Sequence, residues 1–201
     1  MKMIVADLEG VFLPEIWVNV ALKTGIEELK LTTRDISDYD VLMRRRLAIL
    51  KEHDLRIQDI QEVIATLEPL PGAREALDWI RSRCQFILLS DTFEEFARPL
   101  MAKLGFPTLL CHRLTIDDQG NITHYNLRID NPTQKAVMAF QGLNYHVIAF
   151  GDSYNDIGMI QAADQGFFFK PPETVVTEFP DIPVTRDYDE LKAMLARLLT
   201  P

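Results

Sequence analysis

Met3-Ile4-Val5-Ala6-Asp7-Leu8-Glu9-Gly10 sets how the rest of the chain is read: four apolar residues, two carboxylates one residue apart, then a glycine. An apolar, partly β-branched run of this length reads as a short buried strand, and Gly10 ends it. The same ending recurs downstream. Ser90-Asp91-Thr92 follows an apolar run at 86–89, and Gly151-Asp152-Ser153-Tyr154-Asn155-Asp156 closes another that begins at residue 146.

From Leu70-Pro71-Gly72 onward the periodicity alternates between helix and strand. Helices are predicted over 73–83, 94–104, 133–140, 154–163 and 187–199, and strands over 86–90, 108–111, 146–151 and 167–169. Such alternation predicts an α/β fold around a parallel sheet. Asp118-Gln119-Gly120-Asn121, flanked by alternating residues, predicts a β-hairpin between 112 and 129. Ser90 is expected to precede the helix at 94, with Thr92 and Glu95 at capping-box spacing in its first turn.

The stretch 12–69 departs from this scheme and reads as helix throughout: 15–23 closing at Gly25, 39–51 behind Ser37 as a cap, and 58–67. The expected organisation is therefore an α/β catalytic core of residues 1–11 and 70–201, with a small helical cap, 12–69, inserted after the first strand. An insertion there lies over the carboxyl ends of the strands, where open α/β sheets bind ligands.

The 201 residues are 47% hydrophobic and 25% charged, ordinary globular values. A net charge of −9 argues against a nucleic-acid partner, which needs a basic footprint. Cys84 and Cys111 are too isolated for a disulfide framework and suit a reducing, cytoplasmic setting. No window approaches a membrane span, and Met1 to Ala6 is too short for a signal segment. His53, His112, His124 and His146 show no metal-ligand spacing and read as structural or exposed.

In a parallel sheet the three acidic strand ends converge on one edge. Asp7, Asp152 and Asp156 would then crowd like charges, which a hard cation such as Mg²⁺ neutralises. A carboxylate beside Mg²⁺ and a phosphate can act as nucleophile, and Asp7 leads its loop. Glu9 is placed to give a proton to a leaving alcohol and take one from water, and its backbone carbonyl could ligate the metal. Ser90 offers a phosphate seat, and Lys135, on a short predicted helix, the compensating cation.

Taken in order, Asp7-Leu8-Glu9-Gly10-Val11, Leu89-Ser90, Lys135 and Gly151-Asp152-Ser153-Tyr154-Asn155-Asp156 resemble the four motifs of the haloacid-dehalogenase-like phosphatases. That resemblance implies a Rossmann-like core and a phosphoaspartate intermediate, with Asp7, Glu9 and Asp152 on the metal and Asp156 supporting them. Leu42-Met43-Arg44-Arg45-Arg46-Leu47 is similar to the cap helix of phosphoserine phosphatases. By resemblance Arg46 would hold the substrate carboxylate, Glu15 the substrate ammonium, and Ser90 and Asn155 would also contact substrate. Glu9 stands where the family normally has Asp, and Asp91-Thr92 where phosphoserine phosphatases usually have Gly-Gly. An extra methylene moves the acid/base proton by about 1 Å, enough to alter water activation. The combination resembles the bifunctional phosphoserine phosphatase/homoserine phosphotransferase variant, implying phosphoserine and homoserine as small-molecule partners; a homodimer is compatible with it.

Each motif alone has a plainer meaning. Asp7-Leu8-Glu9 could be a solvated loop, Asp152 to Asp156 an acidic helix start, Ser90 a turn residue, Lys135 a solvated lysine and Glu15 a carboxylate favoured by a helix dipole. Their joint order favours the enzyme. A phosphorelay receiver has no need of the insertion, and a dehalogenase has no need of Glu9 or the Asp152/Asp156 pair. A phosphatase for another small phosphomonoester, and a non-catalytic binder of a phosphorylated metabolite, remain as alternatives.

Overall fold

The computed structural model describes residues 1–32, 35–36 and 38–200. In chain order the elements are β1 (Lys2–Ala6), α1 (Ile16–Thr24), α2 (Tyr39–Glu52), α3 (Ile57–Ala65), α4 (Ala73–Arg81), β2 (Gln85–Phe93), α5 (Glu94–Met101), β3 (Leu109–Ile116) and β4 (Ile122–Asn126). They continue with α6 (Pro132–Gly142), β5 (His146–Gly151), α7 (Ile157–Ala162), β6 (Gln165–Phe169), α8 (Glu173–Glu178), β7 (Val184–Thr185) and α9 (Tyr188–Leu199), and short 3-10 turns lie at Glu27–Lys30 and Tyr154–Asp156.

The strands form one sheet in the order β4-β3-β2-β1-β5-β6-β7. All neighbours are parallel except β3 and β4, which make the expected hairpin. β1 is central, and the two-residue period of a strand splits its side chains between two apolar layers. Ile4 and Ala6 face a layer with Leu88, Ile148 and Phe150 that also takes residues of α1, α3, α4, α5 and α9. Met3 and Val5 face the other way, with Leu89, Val147 and Ala149, against Val137 of α6 and Met159 of α7. Strands buried on both faces read as continuous apolar runs, which is what the sequence shows at β1 and β5.

Between β1 and α4 the regular elements among the described residues are all helices, joined by loops, with one isolated bridge, Glu9 with Leu13. The two ends of this stretch meet where Leu70 N donates to Phe12 O at 3.0 Å. α1 closes at Gly25, whose φ of 75° is the left-handed conformation glycine adopts without a steric penalty. Asp38 caps α2 by accepting from Val41 N at 3.1 Å; the expected cap, Ser37, lies outside the described residues. Gln61 of α3 bonds to the core for a local reason. Pro99 inside α5 has no N–H to give to the carbonyl four residues back, and Gln61 Nε2 donates to that carbonyl, Glu95 O, at 2.9 Å.

Three expectations need correction. β2 does not stop at Ser90: the ladder to β3 shifts register between Leu89 and Phe93 and the strand runs on, so Ser90 lies within it. Consequently Phe93, not an earlier hydroxyl residue, occupies the N-cap of α5, and Glu95 Oε2 accepts from Leu114 N at 3.0 Å instead of closing a capping box. β3 extends five residues past the predicted end at Cys111, because the parallel strand and the first arm of the hairpin are one element. The short α8 and β7 carry too little periodicity to be seen in the sequence. Among the described residues no helix is long and apolar enough to cross a membrane.

Gly166 of β6 packs so tightly on α7 that a Cβ would lie 2.2 Å from Ile160 O. Gly142, at the end of α6, has nothing within 4 Å. Gly166→Ala is therefore expected to lower unfolding free energy by about 2 kcal/mol through overpacking, and Gly142→Ala to leave it within about 0.5 kcal/mol or raise it slightly, as read by urea denaturation.

Candidate active site

β1 and β5 are hydrogen-bonded neighbours, so their carboxyl ends place two acidic loops side by side. Asp7 follows β1, and its N–H donates to Phe150 O at 3.2 Å, extending the pairing. Gly10 follows with φ of 75°, and the loop closes on itself through Gly10 N to Leu13 O at 2.8 Å. A Cβ on Gly10 would come 2.5 Å from Asp152 Cγ. The glycine is thus needed twice, for its backbone conformation and for the approach of Asp152.

Asp7, Asp152 and Asp156 each offer a carboxylate oxygen within 4.8 Å of the others. Asp156 is fixed by its surroundings: Oδ2 accepts from Asp152 N at 2.8 Å and Ser153 N at 3.0 Å, and Gly151 leaves the space its side chain fills. Burial, then the charges of Asp156 and Asp152, raise the Asp7 carboxyl well above the usual carboxylate range. Burial pushes Asp156 up to about 7 despite its two backbone hydrogen bonds. Three converging carboxylates of this kind fit a hard divalent cation, which favours oxygen ligands and would offset the cost of their buried charge.

Glu9 faces the helical side of the same pocket. Its Oε2 accepts from Ile16 N, at the start of α1, at 2.8 Å, and Thr92 also hydrogen-bonds the carboxylate. Burial, then the neighbouring Glu15, raise it to about 7. Ser90 is buried at the base of the pocket, where its Oγ accepts from Thr92 N at 3.4 Å and keeps its own proton to donate.

Arg46 comes from α2 and is only 7% exposed. Its Nη2 donates to Leu31 O at 2.8 Å, its Cζ lies 4.5 Å from the centre of the Trp17 ring, and its Nε is buried without a partner. Burial lowers its pKa to about 10, so it stays charged at neutral pH. A guanidinium nitrogen buried without an acceptor is costly, and Arg46 lines the pocket. Glu15 lines the same pocket from just before α1, and Asn155 lines it from the 3-10 turn after β5.

Lys135 is the exception among the sequence-derived candidates. It is exposed on α6 and does not line the pocket; Thr133 does. Residues two apart on a helix point to opposite sides, so the helix cannot present both. The wall also contains Trp17, Tyr39, Asp91 and Thr92, none of which sequence reasoning singled out as a site residue. Asp91-Thr92 carried a signal, as a departure from Gly-Gly. Tyr39 and Trp17 carried none, because an aromatic at helical spacing reads as core. His112, read as structural or exposed, is buried: Nδ1 accepts from Arg128 N at 3.1 Å, leaving Nε2 to donate to Asp91 Oδ1 at 3.3 Å.

Known proteins point the same way as this geometry. Residues 2–164 match the model of the haloacid dehalogenase-like hydrolase family. A Pseudomonas aeruginosa protein named phosphoserine phosphatase ThrH is 57% identical over 192 residues, covering 96% of this chain and 94% of that one. A phosphoserine phosphatase of Pseudomonas syringae pv. tomato is 56% identical over 186 residues, covering 92% of this chain and 78% of that one. The solved structure of a phosphoserine phosphatase in apo form superposes with a TM-score of 0.77 at 24% identity, covering 94% of this chain and 96% of that one. Likeness at that identity speaks for the fold, and it matches the mostly parallel seven-stranded sheet found here. With a family model spanning most of its length and relatives above half identity, the chain is an enzyme that belongs to the haloacid dehalogenase-like hydrolases.

Proposed function

We propose that this enzyme is a Mg²⁺-dependent phosphoserine phosphatase that works through a phosphoaspartate on Asp7 and also passes the phosphoryl group to homoserine. The observation that carries the reading is the pairing, in one pocket, of the Asp7/Asp152/Asp156 carboxylates with a buried Arg46 whose Nε has no partner. One half of that pocket suits a phosphoryl group and the other a carboxylate, as a phosphorylated α-amino acid requires. The names of the two Pseudomonas relatives support the same substrate.

In this reading residues 12–69 act as a cap, bringing Arg46 and Glu15 over a core of residues 1–11 and 70–201. Arg46 binds the substrate carboxylate through its fork of donors, and Trp17 beneath the guanidinium keeps it in plane. Glu15 receives the ammonium. Ser90 donates to a phosphoryl oxygen and Asn155 closes that side of the pocket. When bound, Mg²⁺ on Asp7, Asp152 and the Glu9 backbone carbonyl, with Asp156 beside them, offsets the charge of nucleophile and phosphate.

Asp7 Oδ attacks phosphorus; the new O–P bond forms as the bond to the serine oxygen breaks, and Glu9 gives that oxygen its proton. Glu9 then takes a proton from the incoming water, which releases phosphate and restores Asp7. Homoserine has the same α-amino acid head as serine, so Arg46 and Glu15 suit it as the acceptor in place of water. The tether of Glu9 to Ile16 N and Thr92 holds its carboxylate toward the amino-acid side of the pocket, which favours an acceptor bound there.

Given O-phospho-L-serine and Mg²⁺, the protein is expected to release phosphate, and added homoserine to divert part of it into phosphohomoserine; an inert phosphoserine would remove the substrate assignment. Asp7→Asn should cut turnover of every phosphomonoester by about a thousandfold or more, and appreciable residual activity would sink the covalent route. Arg46→Ala should raise KM for phosphoserine by about 10- to 100-fold, the worth of a charged hydrogen bond, while leaving an aryl phosphate little changed. Equal losses on both substrates would end the carboxylate-anchor role.

A further inference from the structure

The pocket holds far more negative than positive charge. Six carboxylates line it, and among the described residues Arg46 is the only basic side chain that does. Arg46 lies on the helical side, bonded to the Leu31 carbonyl and over the Trp17 ring beside Glu9 and Glu15, where the proposed reading assigns it to the substrate carboxylate. The cation expected on the phosphate side, Lys135, points to solvent. In its place along the wall stands Thr133, the second residue of α6.

The local backbone explains the substitution of roles. Asn131 adopts a left-handed conformation, φ 49° and ψ 56°, and Pro132 fills the first helical position, where its missing N–H costs nothing. No side chain caps this end of the 11-residue helix. Thr133, on the pocket wall, therefore carries a hydroxyl and a backbone N–H that the helix itself does not use, near the positive end of the helix dipole. Ser90, buried in the same pocket, has a hydroxyl proton to donate.

We infer that Thr133 is a phosphoryl-contacting residue, which with Ser90 holds the group through neutral donors where a lysine would otherwise stand. This rests on the phosphoryl-transfer reading of the pocket. It follows that the cation bound at Asp7 and Asp152 carries nearly all of the charge compensation. The grip on free phosphate is then loose, and a lysine at position 133 would tighten it.

The test is calorimetric titration of the Mg²⁺-loaded protein with inorganic phosphate, on wild type and on Thr133→Lys, Thr133→Val, Thr133→Ser and Lys135→Ala. Thr133→Lys is expected to bind phosphate at least tenfold tighter and Thr133→Val at least threefold weaker, with Thr133→Ser and Lys135→Ala within threefold of wild type. The inference is overturned by any of these falling outside its stated bound, or by wild type binding no phosphate. Should Thr133→Lys not fold, the Val and Ser variants decide on the same bounds. Phosphoserine turnover on the same samples separates the two ideas. Turnover with Thr133 silent removes only the phosphate contact, whereas the Thr133 effects without turnover remove only the phosphatase reading.

Discussion

Repulsion between like charges at the end of one strand pair governs this structure. Two carboxylates about 4 Å apart repel by about 4 kcal/mol at an effective dielectric of about 20, and here three converge where β1 and β5 end. Their placement is enforced by backbone rather than by mutual attraction. The β1–β5 ladder runs on through Asp7 N, the left-handed Gly10 makes room for Asp152, and Gly151 makes room for Asp156, which two backbone N–H groups then hold. A chain folding for stability alone would separate these groups. Burial first, then the charges of Asp156 and Asp152, raise the Asp7 carboxyl, and burial first, then Asp91, raises that of Asp156; oxygen ligands held together in this way fit a hard cation.

The second half of the pocket depends on how the helical stretch is attached to the sheet. Tyr39 OH donates to Asp91 O at 3.0 Å, Ile57 N to Gly120 O at 2.9 Å, and Gln61 fills the carbonyl that Pro99 leaves free. Tyr125 of β4 also hydrogen-bonds Asp40 of α2. Through Tyr39 and Asp40, α2 is held to the end of β2 and to β4, while α3 is held to the hairpin turn and to α5. Arg46 of α2 can therefore stay buried beside Trp17 with one nitrogen unsatisfied, a state that a loosely attached helix would relieve by rotating. The hairpin predicted from Asp118-Gln119-Gly120-Asn121 thus contributes to where Arg46 sits.

Much of this was legible in the chain itself. Apolar runs at β1 and β5 buried on both faces, each followed by acidic residues and a helix signal, determined a parallel sheet with a carboxylate edge, because strand period and burial are local properties of residue order. Gly25 and Gly10 likewise marked their turns. Ser90 in a strand was not legible, since the irregular register that lets β2 run on to Phe93 depends on its pairing with β3. Nor was the choice between Lys135 and Thr133. Sequence spacing says that two residues on one helix point apart, but not which of them faces the sheet. That phase is set by Pro132 and the left-handed Asn131 at the start of α6, and by Val137 seating against Val5 and Val147. Residue order thus determined which chemical groups the protein carries to the strand ends, and tertiary packing, by fixing the rotation of each helix against the sheet, decided which of them enter the pocket.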